Sequence, residues 1–322
     1  MKGKLLLLTA VAIIAAGFIL TGLMENRYYY FATYVVLQYI VLATAWNILG
    51  GYTGYVNFGT AGFFAMGAYT AVILIKAFEA HFFLLLLCGG VVSGLLGLGI
   101  GYLTLRLRGV FFAIATLALA IVLKTVVDNS FGLPRDLGLK LVGGARGIYI
   151  LRPRDVPFFS NYVEFLFAIM VILAVLAVAV AWFIENSWIG RGLAAIRDDE
   201  EAAECMGVPV LKLKLFATTV SGFLMGVVGA PFPYYITYLE PSSAFSLDYA
   251  VNSLAMPLIG GTTTWLGPVI GAVLLGTAQQ VLTVTISSEW ALFFVGVVLV
   301  GFVILAPEGI VGLFRKVIGK KT

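Results

Sequence analysis

The sequence predicts an all-α polytopic membrane protein of about ten transmembrane helices, one domain over residues 1–322. Three observations lead there. Hydrophobic residues make up 61% of the chain and charged ones 11%, against roughly 25% charged in soluble domains. The mean hydropathy of +1.04 represents more apolar surface than a soluble core of this length hides. The apolar residues also fall into runs close to the ~20 residues that cross ~30 Å of hydrocarbon.

Those runs are residues 5–23, 29–49, 58–78, 82–104, 109–127, 162–184, 214–235, 247–261, 264–286 and 290–306. The eighth is short, and Gly260-Gly261-Thr262 beside it suggests a broken helix. Met1-Lys2-Gly3-Lys4 ahead of the first run also fits a cleaved signal peptide, although that run is long for one and no A-x-A site follows. Lys and Arg set the expected orientation. With both termini inside, Lys2, Lys4, Arg106, Arg108, Arg191, Arg197, Lys212, Lys214, Arg315, Lys316, Lys320 and Lys321 all lie on the cytoplasmic side, which is the N-in, C-in arrangement. The bias is moderate, because the outer polar segment 128–160 carries Arg135, Lys140, Arg146, Arg152 and Arg154.

Composition also excludes function classes. The net charge of +4 reflects cations gathered at membrane flanks, so the partner is the lipid bilayer and no nucleic acid is expected. One histidine (His81) and two cysteines (Cys88, Cys205) cannot assemble a His/Cys metal site, and no catalytic residues are assigned. No G-x-x-x-x-G-K-[ST] phosphate loop is present, so this chain binds no nucleotide of its own. Lys124, Glu164 and Asp248 fall towards the outer ends of their spans, whereas ion-driven carriers keep ionisable groups at depth. A neutral path remains, with Asn47, Thr53, Asn57, Gly59, Thr60, Thr116, Asn252, Gly260 and Gly261 as candidates, joined by Ser253, Gln279 and Gln280. Interhelical hydrogen bonding is the alternative fate of such polar residues.

Two stretches interrupt the apolar monotony most. Residues 46–62 hold Gly50, Gly51, Gly54, Gly59 and Gly62 among small hydroxyls and two asparagines. Such a stretch either lines a pore or packs as a tight inter-helix turn. Residues 187–209, within the cytoplasmic loop 185–213, are the one long segment dense in charge. From Leu193 to Met206 the residues favour helix, Asp198 to Glu201 add negative charge, and Gly207 with Pro209 gives a stop. A polar helix between two spans belongs in water at the membrane surface.

Glu201-Ala202-Ala203, three residues, then Gly207 resembles the EAA-x-x-x-G loop by which permease subunits of ABC importers dock onto their ATPases. The run Ile189 to Asp198 is similar to that of the branched-chain amino acid (LivM-like) permeases. Gly51-Tyr52-Thr53-Gly54, Arg108-Gly109 through Thr116-Leu117, Leu141 to Ile148, Leu258 to Ala272 and Ala306-Pro307-Glu308-Gly309 resemble further motifs of that family. Tyr55 and Thr60 depart from it, standing where Gln and His are expected, which weakens the transfer of substrate identity.

The resemblance implies a type II-like ABC importer permease in the inner membrane of a prokaryote, moving branched-chain or related amino acids. It implies coupling through Arg191, Arg197, Asp198, Glu201, Ala202, Ala203 and Gly207. Its implied partners are two ATPase subunits that hold ATP and Mg, a second homologous permease subunit and a soluble substrate-binding protein. A urea or short-amide permease of the same family is the near alternative; a passive channel or secondary carrier is the alternative from another class.

Overall fold

The computed structural model describes residues 27–104, 107, 109–151, 161–286, 288–305 and 309–313. The expected first span, the flanking Lys2, Lys4, Arg106 and Arg108, and the basic tail lie outside the described residues. In chain order the elements are α1 (Arg27–Thr53), α2 (Thr60–Phe78), α3 (Phe82–Thr104), α4 (Val110–Asp128), α5 (Arg135–Leu141), β1 (Ile148–Tyr149), α6 (Tyr162–Asn186), α7 (Trp188–Asp198), α8 (Glu200–Cys205), α9 (Val210–Gly229), α10 (Phe232–Ile236), β2 (Tyr238–Leu239), α11 (Pro241–Ala244), α12 (Leu247–Gly260), α13 (Leu266–Thr285) and α14 (Ser288–Leu305).

Helix dominates because a backbone in hydrocarbon must satisfy its own polar groups. Among the described residues, seven helical stretches are long and apolar enough to span: Tyr28–Thr53, Thr60–Phe78, Phe82–Leu103, Val110–Asp128, Tyr162–Asn186, Val210–Ile236 and Leu266–Thr285. The expected eighth span is the 14-residue α12, about 21 Å at ~1.5 Å per residue and shorter than the hydrocarbon layer. The expected single helix over 193–206 is also corrected. It is two helices, α7 and α8, starting earlier and divided at Asp199.

The described chain forms two compact units. The first draws on Met1–Thr44, Pro153–Phe183 and Ala255–Thr322. Here Tyr30 meets Phe167 edge-on, with ring centroids 5.8 Å apart, in an apolar cluster with Val163 and Val171. Its other landmark is the hairpin from the end of α12 into α13. Gly261 has φ +120°, and a side chain at Gly260 would strike the carbonyl of Gly267. The Gly267 N–H donates to Thr264 Oγ1 at 3.3 Å. Residues 258–272 therefore fold back on themselves through glycine, as a tight turn between α12 and α13 in place of the expected broken helix.

The second unit comprises Ala45–Arg152 and Ile184–Leu254. Its centre is a seam in which α3 lies along α9 and α2 contacts both. Association in lipid relies on close packing, for which small residues are suited. A Cβ on Gly67 of α2 would collide with the backbone of Gly226 on α9, and one on Gly226 with the carbonyl of Gly89 on α3. Ser93 Oγ donates to the Phe63 carbonyl at 2.8 Å across the same seam. At one end of this unit β1 and β2 pair antiparallel, Ile148 opposite Leu239 and Tyr149 opposite Tyr238. At the other end residues 50–59 meet the polar helix pair. Both pairings join segments that the alternation of spans assigns to a common side.

Candidate functional site

The polar helix pair owes its shape to its own caps. Ser187 is the N-cap of α7, its Oγ accepting the Gly190 N–H at 3.3 Å. Asp199 is extended, with φ −159° and ψ 113°, so it ends α7 and caps α8, its Oδ1 accepting the Ala202 N–H at 3.0 Å. A capping aspartate inside a helix-favouring run is the physical reason for the break. Gly207, at φ +83°, terminates α8 in the left-handed conformation. Its N–H reaches the Glu204 carbonyl at 3.0 Å while that of Val208 reaches Ala203, also at 3.0 Å.

The pair is not wholly in water. Leu193 and Ile196 are buried on one face of α7, which packs against α9. Ala203 is 5% exposed and turned into the chain. Arg191, Asp198, Glu201, Ala202, Glu204, Cys205 and Gly207 are exposed, and Met206 is 84% exposed.

Three side-chain contacts brace this pair on the glycine-dense segment. Tyr52 Oη donates to Glu185 Oε2 at 3.3 Å. Arg197 Nη1 donates to the Gly51 carbonyl at 3.4 Å, and the arginine stem runs over Gly54, where a Cβ would lie 3.3 Å from Arg197 Cγ. Gly54 has φ +76°, so glycine suits both the turn that ends α1 and the close approach. In the third contact Lys214 Nζ lies 2.6 Å from Glu200 Oε1 and donates to Tyr55 Oη at 2.7 Å. Tyr55 Oη in turn donates to Glu200 Oε2 at 2.5 Å. The ammonium also stands 4.1 Å from the Tyr55 ring centroid, and the ring meets Phe112 edge-on at 5.1 Å.

From Tyr55 the chain runs directly into the uncharged polar cluster. Trp46 Nε1 donates to the Asn57 carbonyl at 2.7 Å, and Asn57 Oδ1 accepts the Gly59 N–H at 2.7 Å. The Phe58 N–H donates to Thr116 Oγ1 at 3.1 Å, and Ser253 Oγ donates to Thr60 Oγ1 at 3.1 Å. Asn57 Nδ2 and Ser221 Oγ are buried with no hydrogen-bond partner. Of the expected path residues, Asn57, Gly59, Thr60 and Thr116 therefore come together. Asn47 and Thr53 are buried on α1 and Asn252 on α12. Gly260 and Gly261 shape the α12–α13 hairpin of the other unit.

The brace of Lys214, Glu200 and Tyr55 was missed in the sequence, where Lys214 read as a solvated flank. A signal was present. Lys212 and Lys214 are two residues apart, about 200° around a helix, so on an α9 that starts at Val210 they lie on different faces. Lys212 is exposed and Lys214 is 1% exposed.

Multiple spans, a glycine-mediated seam, a buried uncharged polar cluster and a braced polar helix pair describe a polytopic membrane protein. The family model for the branched-chain amino acid transport system permease component matches residues 28–303. The chain belongs to that family, whose members are permease subunits of ABC-type transport systems. It is similar to the high-affinity branched-chain amino acid transport system permease protein LivM of Salmonella typhimurium, 27% identical over 87% of this chain and 69% of that protein. The probable branched-chain amino acid transport permease protein LivH of Methanocaldococcus jannaschii is 25% identical over 80% of this chain and 83% of its own. The autoinducer 2 import system permease protein LsrC of Yersinia pseudotuberculosis is 26% identical over 92% and 83%. No solved structure matches.

Proposed function

We propose that this chain is the membrane subunit of an ATP-driven importer carrying branched-chain or related small amino acids across the inner membrane of a prokaryote. Two ATPase subunits holding ATP and Mg seat on the exposed face of α7 and α8, with both termini on the same cytoplasmic side. A second homologous permease subunit completes the conduit, and a soluble binding protein delivers substrate outside. ATP-driven closure of the ATPases pushes the helix pair as a body and rocks the spans between outward and inward openings.

The observation that carries this reading is a preformed, exposed helix pair braced on the segment leading into the neutral polar cluster of Asn57, Thr60 and Thr116. The relatives' names support the substrate class. The LsrC relatives favour a second reading, a small polar solute other than an amino acid, carried by the same machinery. The urea or short-amide reading belongs with it.

The test is purification of the chain with its co-expressed neighbours, then reconstitution with the cognate binding protein. Two ATPases should co-purify, and hydrolysis should rise when leucine-loaded binding protein is added. Uptake of leucine without any ATPase would favour a carrier or channel instead. Stimulation by a sugar-like solute or urea, and not by leucine, would replace the substrate class while keeping the importer.

A further inference from the structure

We infer that Lys214, Glu200 and Tyr55 form an internal latch that makes the polar helix pair and the glycine-dense segment move as one body. They are positioning residues for transport, acting through Asn57 and its neighbours rather than by touching substrate. The inference rests on the importer reading above and names the part of the chain through which the push at the surface is passed inward.

The argument begins with the cost of charge. An ammonium removed from water is unfavourable unless an opposite charge and hydrogen-bond acceptors surround it. Lys214 is 1% exposed and finds both in Glu200 and Tyr55. Glu200 opens α8, which forms part of the proposed docking surface. Displacing α8 away from α9 would separate the buried Lys214 ammonium from the Glu200 carboxylate, a loss that favours α8 moving together with Lys214 and Tyr55. Hydrogen bonds from Trp46 to Asn57, from Gly59 to Asn57 and from Phe58 to Thr116 stiffen the chain beyond Tyr55. A shift of the Tyr55 hydroxyl is therefore delivered to the polar cluster instead of being absorbed by the loop. The Arg197 contact at Gly51 keeps the helix pair in register alongside the latch.

Two variants separate latch from scaffold. Tyr55→Phe removes only the hydroxyl shared by Lys214 and Glu200 and keeps the ring against Phe112. Lys214→Met removes the buried charge itself. Spin labels at Val56→Cys and Met206→Cys, both exposed, report the distance between the segment and the helix pair once Cys88 and Cys205 are replaced by Ser. In the full complex the native background should give one narrow distance, and Tyr55→Phe should broaden it. ATPase co-purification should be retained, while substrate moved per ATP hydrolysed falls on the order of tenfold, as expected when a buried charged pair loses a shared hydrogen-bond partner.

An unchanged distance distribution overturns the latch. So does a broadened one with unaltered transport per ATP, since the contact is then a local support only. Should Lys214→Met fail to accumulate in the membrane, Tyr55→Phe alone decides. Should no ATPase co-purify with the native chain, the importer reading fails by itself, and the distance measurement on the purified permease still tells whether the latch exists.

Discussion

The indole of Trp46 donates to the backbone carbonyl of Asn57 at 2.7 Å, bridging the end of α1 and the start of α2. Trp46 is buried, and a side chain at Gly50 would press on its ring, with a Cβ 2.6 Å from the nearest ring carbon. The ring thus acts as a strut inside the glycine-dense turn. Trp46→Phe keeps most of the ring and leaves the carbonyl without this donor, at an expected cost of about 1–3 kcal/mol. Thermal unfolding in detergent should show a lower midpoint, and uptake should fall. An unchanged midpoint would mean that the bond contributes nothing.

The seam of α2, α3 and α9 gives a sharper steric prediction. Gly67→Val forces a branched side chain into the Gly226 backbone and should abolish accumulation of folded protein. Gly99→Ala, on α3 where nothing lies within 4 Å of the added carbon, should be tolerated. Membrane abundance by immunoblot distinguishes them, and equal levels would contradict the packing.

Ala202 is exposed while its neighbour Ala203 is buried. Ala203→Asp buries a carboxylate inside the chain at a cost of several kcal/mol and should lower stability as well as transport. Ala202→Asp sits on the exposed face and should leave the isolated permease intact while weakening co-purification of the ATPases. Equal loss of stability in both would mean that α8 is oriented otherwise.

Gly207→Val places a β-branched residue at φ +83°, costing on the order of 1 kcal/mol or more. Gly207→Asn should be milder, because asparagine enters the left-handed region more readily. No atom lies within 4 Å of a Cβ there, so only conformation is tested. Uptake should fall in the order Gly, Asn, Val; if Val performs as well as Gly, the cap is immaterial.

Sidedness is open to direct labelling. Tyr149 and Met206 are both exposed, at 72% and 84%, on segments assigned to opposite sides of the membrane. In a background without Cys88 and Cys205, Tyr149→Cys should react with an impermeant maleimide in intact cells and Met206→Cys should not. The reverse pattern would invert the orientation.

Much of this was legible in the sequence because apolar run length and helix propensity are local properties. Spans such as 58–78 and 82–104 fall on α2 and α3 nearly residue for residue. The glycine-rich 258–272 was recognisable as a helix break, though not as a fold-back. What could not be read locally was direction. Asp199 scores as an acidic residue in a helical run, and only its turn to the Ala202 N–H makes it a divider. Ala203 and Lys214 each carry a residue type that fits two environments; for Lys214 the choice is made by Tyr55, 159 residues away.

The caps supplied by Ser187 and Asp199 have a kinetic consequence. Because both helices of the polar pair are closed by their own side chains, their shape does not wait for a partner. A partner seated on the exposed face would meet helices already capped, and little conformational entropy would be lost on contact. Association is then governed by orientation and charge, and differences in affinity appear chiefly in the rate of departure. A surface of this kind favours a partner that changes its own shape through repeated cycles, since it stays ready while the other side rearranges.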